Sequence, residues 1–89
     1  FSADTVFGDC PTARREEDRL APAGVFATGK AAAGAAVRKA LPDRHLILRT
    51  GWVYGPDDRG RGPVGGLLGR LAAGESVPVA SDRFGQPTY

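Results

Sequence analysis

The longest regular pattern of apolar and polar residues runs from Val25 to Leu41, VFATGKAAAGAAVRKAL. Phe26, Lys30, Ala33, Val37 and Leu41 recur at i, i+4, i+7, i+11 and i+15, a spacing that predicts an α-helix with these five on one face and Arg38 and Lys39 on another. Alanine favours the helix, whereas Gly29 and Gly34 each cost about 1 kcal/mol relative to Ala in an exposed interior and point to close packing instead. Pro42 disfavours helical geometry at Leu41 and ends the element. One member of the apolar stripe is a cation. Lys30 either lays its stem along the face and lifts its ammonium to water, or it points into a site; on both readings Phe26, one turn earlier, is its neighbour.

The remaining segments follow from shorter patterns. Phe1 to Phe7 reads as the end of a strand closed by Gly8, Asp9 and Pro11, and Cys10 to Gly24, charged and carrying Pro11 and Pro22, as a surface connection. Leu46 to Leu48 is a continuous apolar run after a helix, which predicts a parallel strand covered on both faces. A strand-helix-strand unit of this kind crosses over right-handed and brings the carboxyl ends of its strands to one sheet edge, where ligands of open α/β sheets bind. Ala3, Asp4, Thr5, Thr50, Trp52 and the first helical turn are expected to converge there. Asp57 to Gly62 is a charged glycine loop, and Val64 to Ala73 a second helix with Leu67, Leu68 and Leu71 as its apolar face and Gly74 as its stop. Ser76 to Ala80 reads as an edge strand because it contains Pro78, and Ser81 to Tyr89 as a loop.

Composition narrows the class. With 89 residues, 42% hydrophobic and 25% charged, the chain supports one globular unit with a thin core. No stretch approaches the ~18 apolar residues of a membrane span, and the N-terminal residues lack the pattern of a signal peptide, so a cytoplasmic location with no membrane partner is expected. The formal charge is +2, but the basic residues are dispersed and Arg14 to Arg19 mixes both signs, which argues against a nucleic-acid partner. Cys10 is the single cysteine and His45 the single histidine, so no internal disulfide or Cys/His metal cage is available, and the two lie in unrelated segments. There is no methionine, and the chain opens inside what reads as a strand, as a stretch of a longer protein would.

Gly60-Arg61-Gly62-Pro63-Val64-Gly65 matches a dinucleotide-binding pattern, with Asp82 downstream. Pro56-Asp57-Asp58-Arg59 separates it from the preceding strand, Pro63 removes an amide, and the two carboxylates would repel a pyrophosphate. A turn-forming glycine loop is the better reading.

Three blocks carry a family resemblance across essentially the whole chain. Ser2-Ala3-Asp4-Thr5-Val6-Phe7 is similar to S-T-D-Y-V-F, Ile47-Leu48-Arg49-Thr50-Gly51-Trp52-Val53-Tyr54-Gly55 to I-L-R-T-S-W-V-Y-G, and Gly85-Gln86-Pro87-Thr88-Tyr89 to G-x-P-T-Y. In these the chain resembles the middle and later part of the dTDP-4-dehydrorhamnose reductase family, extended short-chain dehydrogenases/reductases. The resemblance implies an α/β fold: one domain over residues 1–89 with a partial Rossmann-like parallel sheet in strand-helix-strand-helix-strand order, the nucleotide-binding turn lying before Phe1. It further implies NADP(H) or NAD(H) as cofactor and a dTDP-sugar as substrate, with Lys30 holding the cofactor ribose and Asp4, Thr5 and Trp52 contacting the sugar nucleotide.

Chemistry in that family rests on a Tyr-x-x-x-Lys pair and a Thr or Ser hydroxyl. The phenol protonates the carbonyl oxygen as hydride arrives, the ammonium stabilises phenolate, and the hydroxyl hydrogen-bonds the developing alkoxide. Lys30 matches, but the tyrosine position is Phe26 and the threonine position Ala3, with Gly29 and Thr5 as further departures. Phenylalanine has no proton to give. Asp4, Thr5 and Tyr54 are the candidate replacement acids, and the alternative is a relative that binds sugar nucleotide or NADP(H) without turning it over.

Overall fold

The computed structural model describes residues 1–10, 12–55, 62–82 and 85–89. They form two units, Phe1–Thr50 and Gly51–Tyr89. Both are α/β, each built on one pair of short parallel strands.

In the first unit, β1 (Ser2–Ala3) leads into a 3₁₀ turn (Asp4–Phe7), followed by helix α1 (Gly24–Ala40) and β2 (Arg49–Thr50). Ser2 lies opposite Arg49 and Ala3 opposite Thr50 in parallel register, and the Ser2 N–H donates to the Leu48 carbonyl at 2.7 Å. The expected strand over Phe1 to Phe7 is therefore cut short. The chain coils at Asp4, an acidic residue suited to the positive end of a helical turn, and this curls Val6 and Phe7 into the core. Gly8 then reverses the path at φ +69°, with its N–H on the Thr5 carbonyl. A Cβ on Gly8 would lie 2.5 Å from the Ala21 carbonyl oxygen, and the Ala21 N–H donates to the Val6 carbonyl, so both ends of the connection are pinned together.

Helix α1 occupies the predicted range but turns a different face inward. It packs on β1 and the 3₁₀ turn through Ala27, which is buried, and through Lys30, Ala31 and Gly34, which are partly covered. Phe26, Val37 and Leu41 of the predicted stripe are exposed. Small residues explain the rotation, since a face of Ala and Gly approaches a strand more closely than one carrying Phe and Val; Gly34 comes near Ile47 in this way. The buried apolar core is Ala3, Val6, Phe7 and Ala27, with Val6 fully enclosed. Leu46 to Leu48 does not form a strand covered on both faces: the paired residues are Arg49 and Thr50, while Leu46 and Leu48 are exposed. A two-stranded pair with one helix beside it has too little surface to cover a whole apolar run.

The second unit contains β3 (Trp52–Val53), helix α2 (Pro63–Ala72) and β4 (Pro87–Thr88). β3 and β4 run parallel, Trp52 opposite Pro87 and Val53 opposite Thr88, and the Tyr54 N–H donates to the Thr88 carbonyl at 2.9 Å. The region expected to be a terminal loop thus supplies a strand, while Ser76 to Ala80 forms none. A Rossmann-like succession of strands in one sheet is not seen; the described strands make two separate pairs. Of the expected face of α2, Leu67 is partly covered and Leu68 and Leu71 are exposed. Pro63 occupies the first helical turn, where its missing N–H costs nothing. At the other end Gly74 has φ +74°, the Glu75 N–H reaches the Arg70 carbonyl and the Gly74 N–H the Leu71 carbonyl, a Schellman stop. Gly60, Arg61 and the preceding Pro56 to Arg59 lie outside the described residues, as does Pro11.

Candidate functional site

Lys30 sits on the inward side of α1, beside a cleft lined by Ser2, Val6, Ala31, Gly34, Ile47 and Arg49 among others. Its ammonium lies 5.6 Å from the centroid of the Phe26 ring and donates to the Phe1 carbonyl at 3.5 Å. Its stem is partly covered, and the charge emerges at the amino-terminal end of β1. Phe26, at 64% exposed, presents its ring face to the cation, an attraction of about 0.5–1 kcal/mol at such exposed positions. No hydroxyl stands in that place.

Ala3 is buried at the end of β1 beside Thr50, so a hydroxyl is missing at this position as well. Asp4 and Thr5 follow at once on the 3₁₀ turn, both exposed. Helix α1, which carries Lys30 and Phe26, packs against β1 and the turn that carry Ala3, Asp4 and Thr5. The Lys30 ammonium, however, lies at the amino-terminal end of β1 and Asp4 and Thr5 at its carboxyl end, so they do not meet at one strand end as expected. Trp52 and Tyr54 belong to the second unit. Trp52 is 46% exposed with its ring against Gly85, and Tyr54 meets Tyr89 edge to face with centroids 5.4 Å apart.

The cofactor can be tested against these residues. Lys30 is the one group of the chain to which the resemblance assigns a cofactor contact, and the cleft beside it has a volume of about 10 Å³, room for roughly one water. Among the described residues, the cleft beside Lys30 is too small to hold a dinucleotide. Among them there is also no group of three His, Cys, Asp or Glu side chains placed to hold a metal ion.

Cys10 and His45, the other reactive side chains, have separate partners. Cys10 Sγ lies 3.2 Å from the Thr12 hydroxyl, and His45 Nδ1 donates to the Leu41 carbonyl at 2.6 Å, where it caps the last turn of α1. Arg49, a member of the Ile47–Gly55 block, is a structural tie: its guanidinium stacks on Phe7 at 4.8 Å and donates to the Glu16 carbonyl at 3.2 Å. Gly85 and Tyr89 belong to the G-x-P-T-Y block, but their contacts with Trp52 and Tyr54 have no signal in sequence, because the pairing that places them joins distant parts of the chain.

Residues 1–89 match the family described as RmlD substrate binding domain. The chain is similar to a dTDP-4-dehydrorhamnose reductase of Streptomyces griseus, 36% identical over 90 residues that cover 100% of this chain and 29% of the relative. It is 38% identical over 89 residues to a protein of the same name from Sinorhizobium fredii, covering 99% and 29%. A dTDP-4-keto-6-deoxy-D-glucose reductase of Streptomyces niveus is 34% identical over 92 residues, covering 100% and 31%. The chain thus spans less than a third of the length of these relatives. No solved structure matches it.

Proposed function

Because the chain belongs to the RmlD substrate binding domain family, we propose that it is the sugar-nucleotide-binding stretch of a dTDP-sugar reductase-like protein whose proton-donating chemistry has been lost. The observation that carries this reading is the Phe26 ring facing the Lys30 ammonium at 5.6 Å. In a reductase of keto sugars the carbonyl carbon accepts hydride and its oxygen must gain a proton. A phenol beside a lysine supplies it, because the ammonium favours phenolate and lowers the phenol pKa. Here the lysine faces a ring with nothing to donate, and Ala3 offers no hydrogen bond to the developing alkoxide.

Sugar-nucleotide contact rests on Asp4, Thr5 and Trp52. Asp4 and Thr5 are exposed polar groups at the carboxyl end of β1, where ligands of α/β sheets bind, and Trp52 offers an exposed aromatic surface. The dTDP-sugar class is the one on which its relatives act, a dTDP-4-dehydrorhamnose reductase and a dTDP-4-keto-6-deoxy-D-glucose reductase.

The test grafts residues 1–89 into the Streptomyces griseus relative in place of its matching segment and follows NADPH oxidation with dTDP-4-dehydrorhamnose. Loss of the acid alone is expected to lower turnover by roughly 10²- to 10⁴-fold, with dTDP-sugar binding retained. Phe26→Tyr together with Ala3→Thr should recover at least about tenfold. Parental turnover by the unaltered graft, or no gain from the double change in a graft that still binds dTDP-sugar, would overturn the reading.

A further inference from the structure

Gly85 differs from Gly55, Gly69 and Gly74 of the second unit in what surrounds it. A Cβ added at Gly55, Gly69 or Gly74 would meet nothing within 4 Å, whereas one at Gly85 would lie 3.1 Å from Cζ2 and 3.2 Å from both Cε2 and Cη2 of Trp52. These are three consecutive atoms of the six-membered ring. An approach in the ring plane would leave the outer two much farther away than the middle one, so the near equality places this position over the ring face. Contact with the indole is a reason for glycine at this position.

We propose that Gly85 is a positioning residue for Trp52: its bare backbone covers one face of the indole and leaves the other open as a stacking surface for the sugar nucleotide. The ligand half of this inference rests on the sugar-nucleotide reading above. β3 and β4 supply the frame, since Trp52 is paired with Pro87, two residues after Gly85, and the ring and its cover are fixed by the same ladder. An indole covered on one face should remain about half accessible, and Trp52 is 46% exposed. A flat, half-open aromatic surface suits the pyrimidine or the apolar face of a pyranose, and any tilt of the ring moves that surface.

Trp52 is the single tryptophan, so its emission reports the ring directly. Gly85→Ala requires the ring to give way by a few tenths of an ångström and Gly85→Val by more. The expected result is a graded change in emission maximum and acrylamide quenching from Gly to Ala to Val in the 89-residue chain. Calorimetric titration with dTDP-glucose should weaken by at least about threefold for Ala and about tenfold for Val. In a Trp52→Phe background, where the smaller ring leaves room for a Cβ, Gly85→Ala should cost nothing further. If Val disrupts the far-ultraviolet circular dichroism, the Ala variant and the Phe background decide.

Unchanged emission and quenching in the substituted chains would overturn the proposal, as would a Gly85→Ala binding loss that persists with Trp52→Phe. If the unsubstituted chain takes up no dTDP-glucose while the emission series changes as expected, the sugar-nucleotide reading fails together with the stacking role. Gly85 would then stand only as the support of the indole.

Discussion

A hydrogen bond from the Thr12 hydroxyl, with a second from its backbone N–H, holds the Cys10 thiol below its ordinary pKa. A lowered value means that thiolate forms at lower pH and that the form which reacts with alkylating agents is richer near neutrality. Thr12→Ala should move the pH profile of iodoacetamide labelling upward, toward an ordinary thiol, and slow labelling at pH 8; an unmoved profile would show that the bond does not form in solution. Gly8 is a second residue whose chemistry is set by its neighbours. At φ +69° and with the Ala21 carbonyl where a Cβ would go, Gly8→Ala should destabilise the first unit by about 2 kcal/mol or more, read as a lower urea midpoint. Neither effect was legible beforehand. Gly8 was recognisable as a turn residue, but its closeness to Ala21 depends on where the connection returns.

Among the elements, the helices were readable and the strands much less so. Periodicity and Pro42 located α1, and Gly74 located the end of α2, because caps and breakers act within a few residues. The buried face of α1 was misjudged for a physical reason: hydrophobicity selected Phe26, Val37 and Leu41, whereas close approach selected Ala27, Ala31 and Gly34. Pairs of strands only two residues long carry almost no periodic signal, and β4 was hidden in a segment of loop-like composition. Family resemblance had already singled out Lys30, Phe26 and Ala3, while the contacts that orient them required coordinates. Arg49 shows how such contacts join elements, since it links β2 to the charged connection through the Glu16 carbonyl while stacking on Phe7. Arg49→Ala should leave α1 helical and increase trypsin cleavage at Arg14, Arg15 or Arg19 severalfold. Unchanged cleavage would mean that the tie carries no restraint.

At the scale of the whole molecule, the four buried apolar side chains among the described residues agree with the expectation of a thin interior. Among the described residues no helix is long and apolar enough to cross a membrane. Each unit depends on a single parallel pair, Ser2 with Arg49 and Trp52 with Pro87, and in both cases a helix lies between the partners. A parallel pair cannot zip from a turn as a hairpin does, so the intervening chain has to be closed before the first ladder bond forms. Helix signal is therefore expected within microseconds of dilution from denaturant, ahead of the change in Trp52 emission; simultaneous changes would contradict this order. During synthesis the same geometry imposes a delay: the β1–β2 ladder can form only once Thr50 has been made, and the β3–β4 ladder only once Thr88 has, so each helix emerges before the strand pair that flanks it can close.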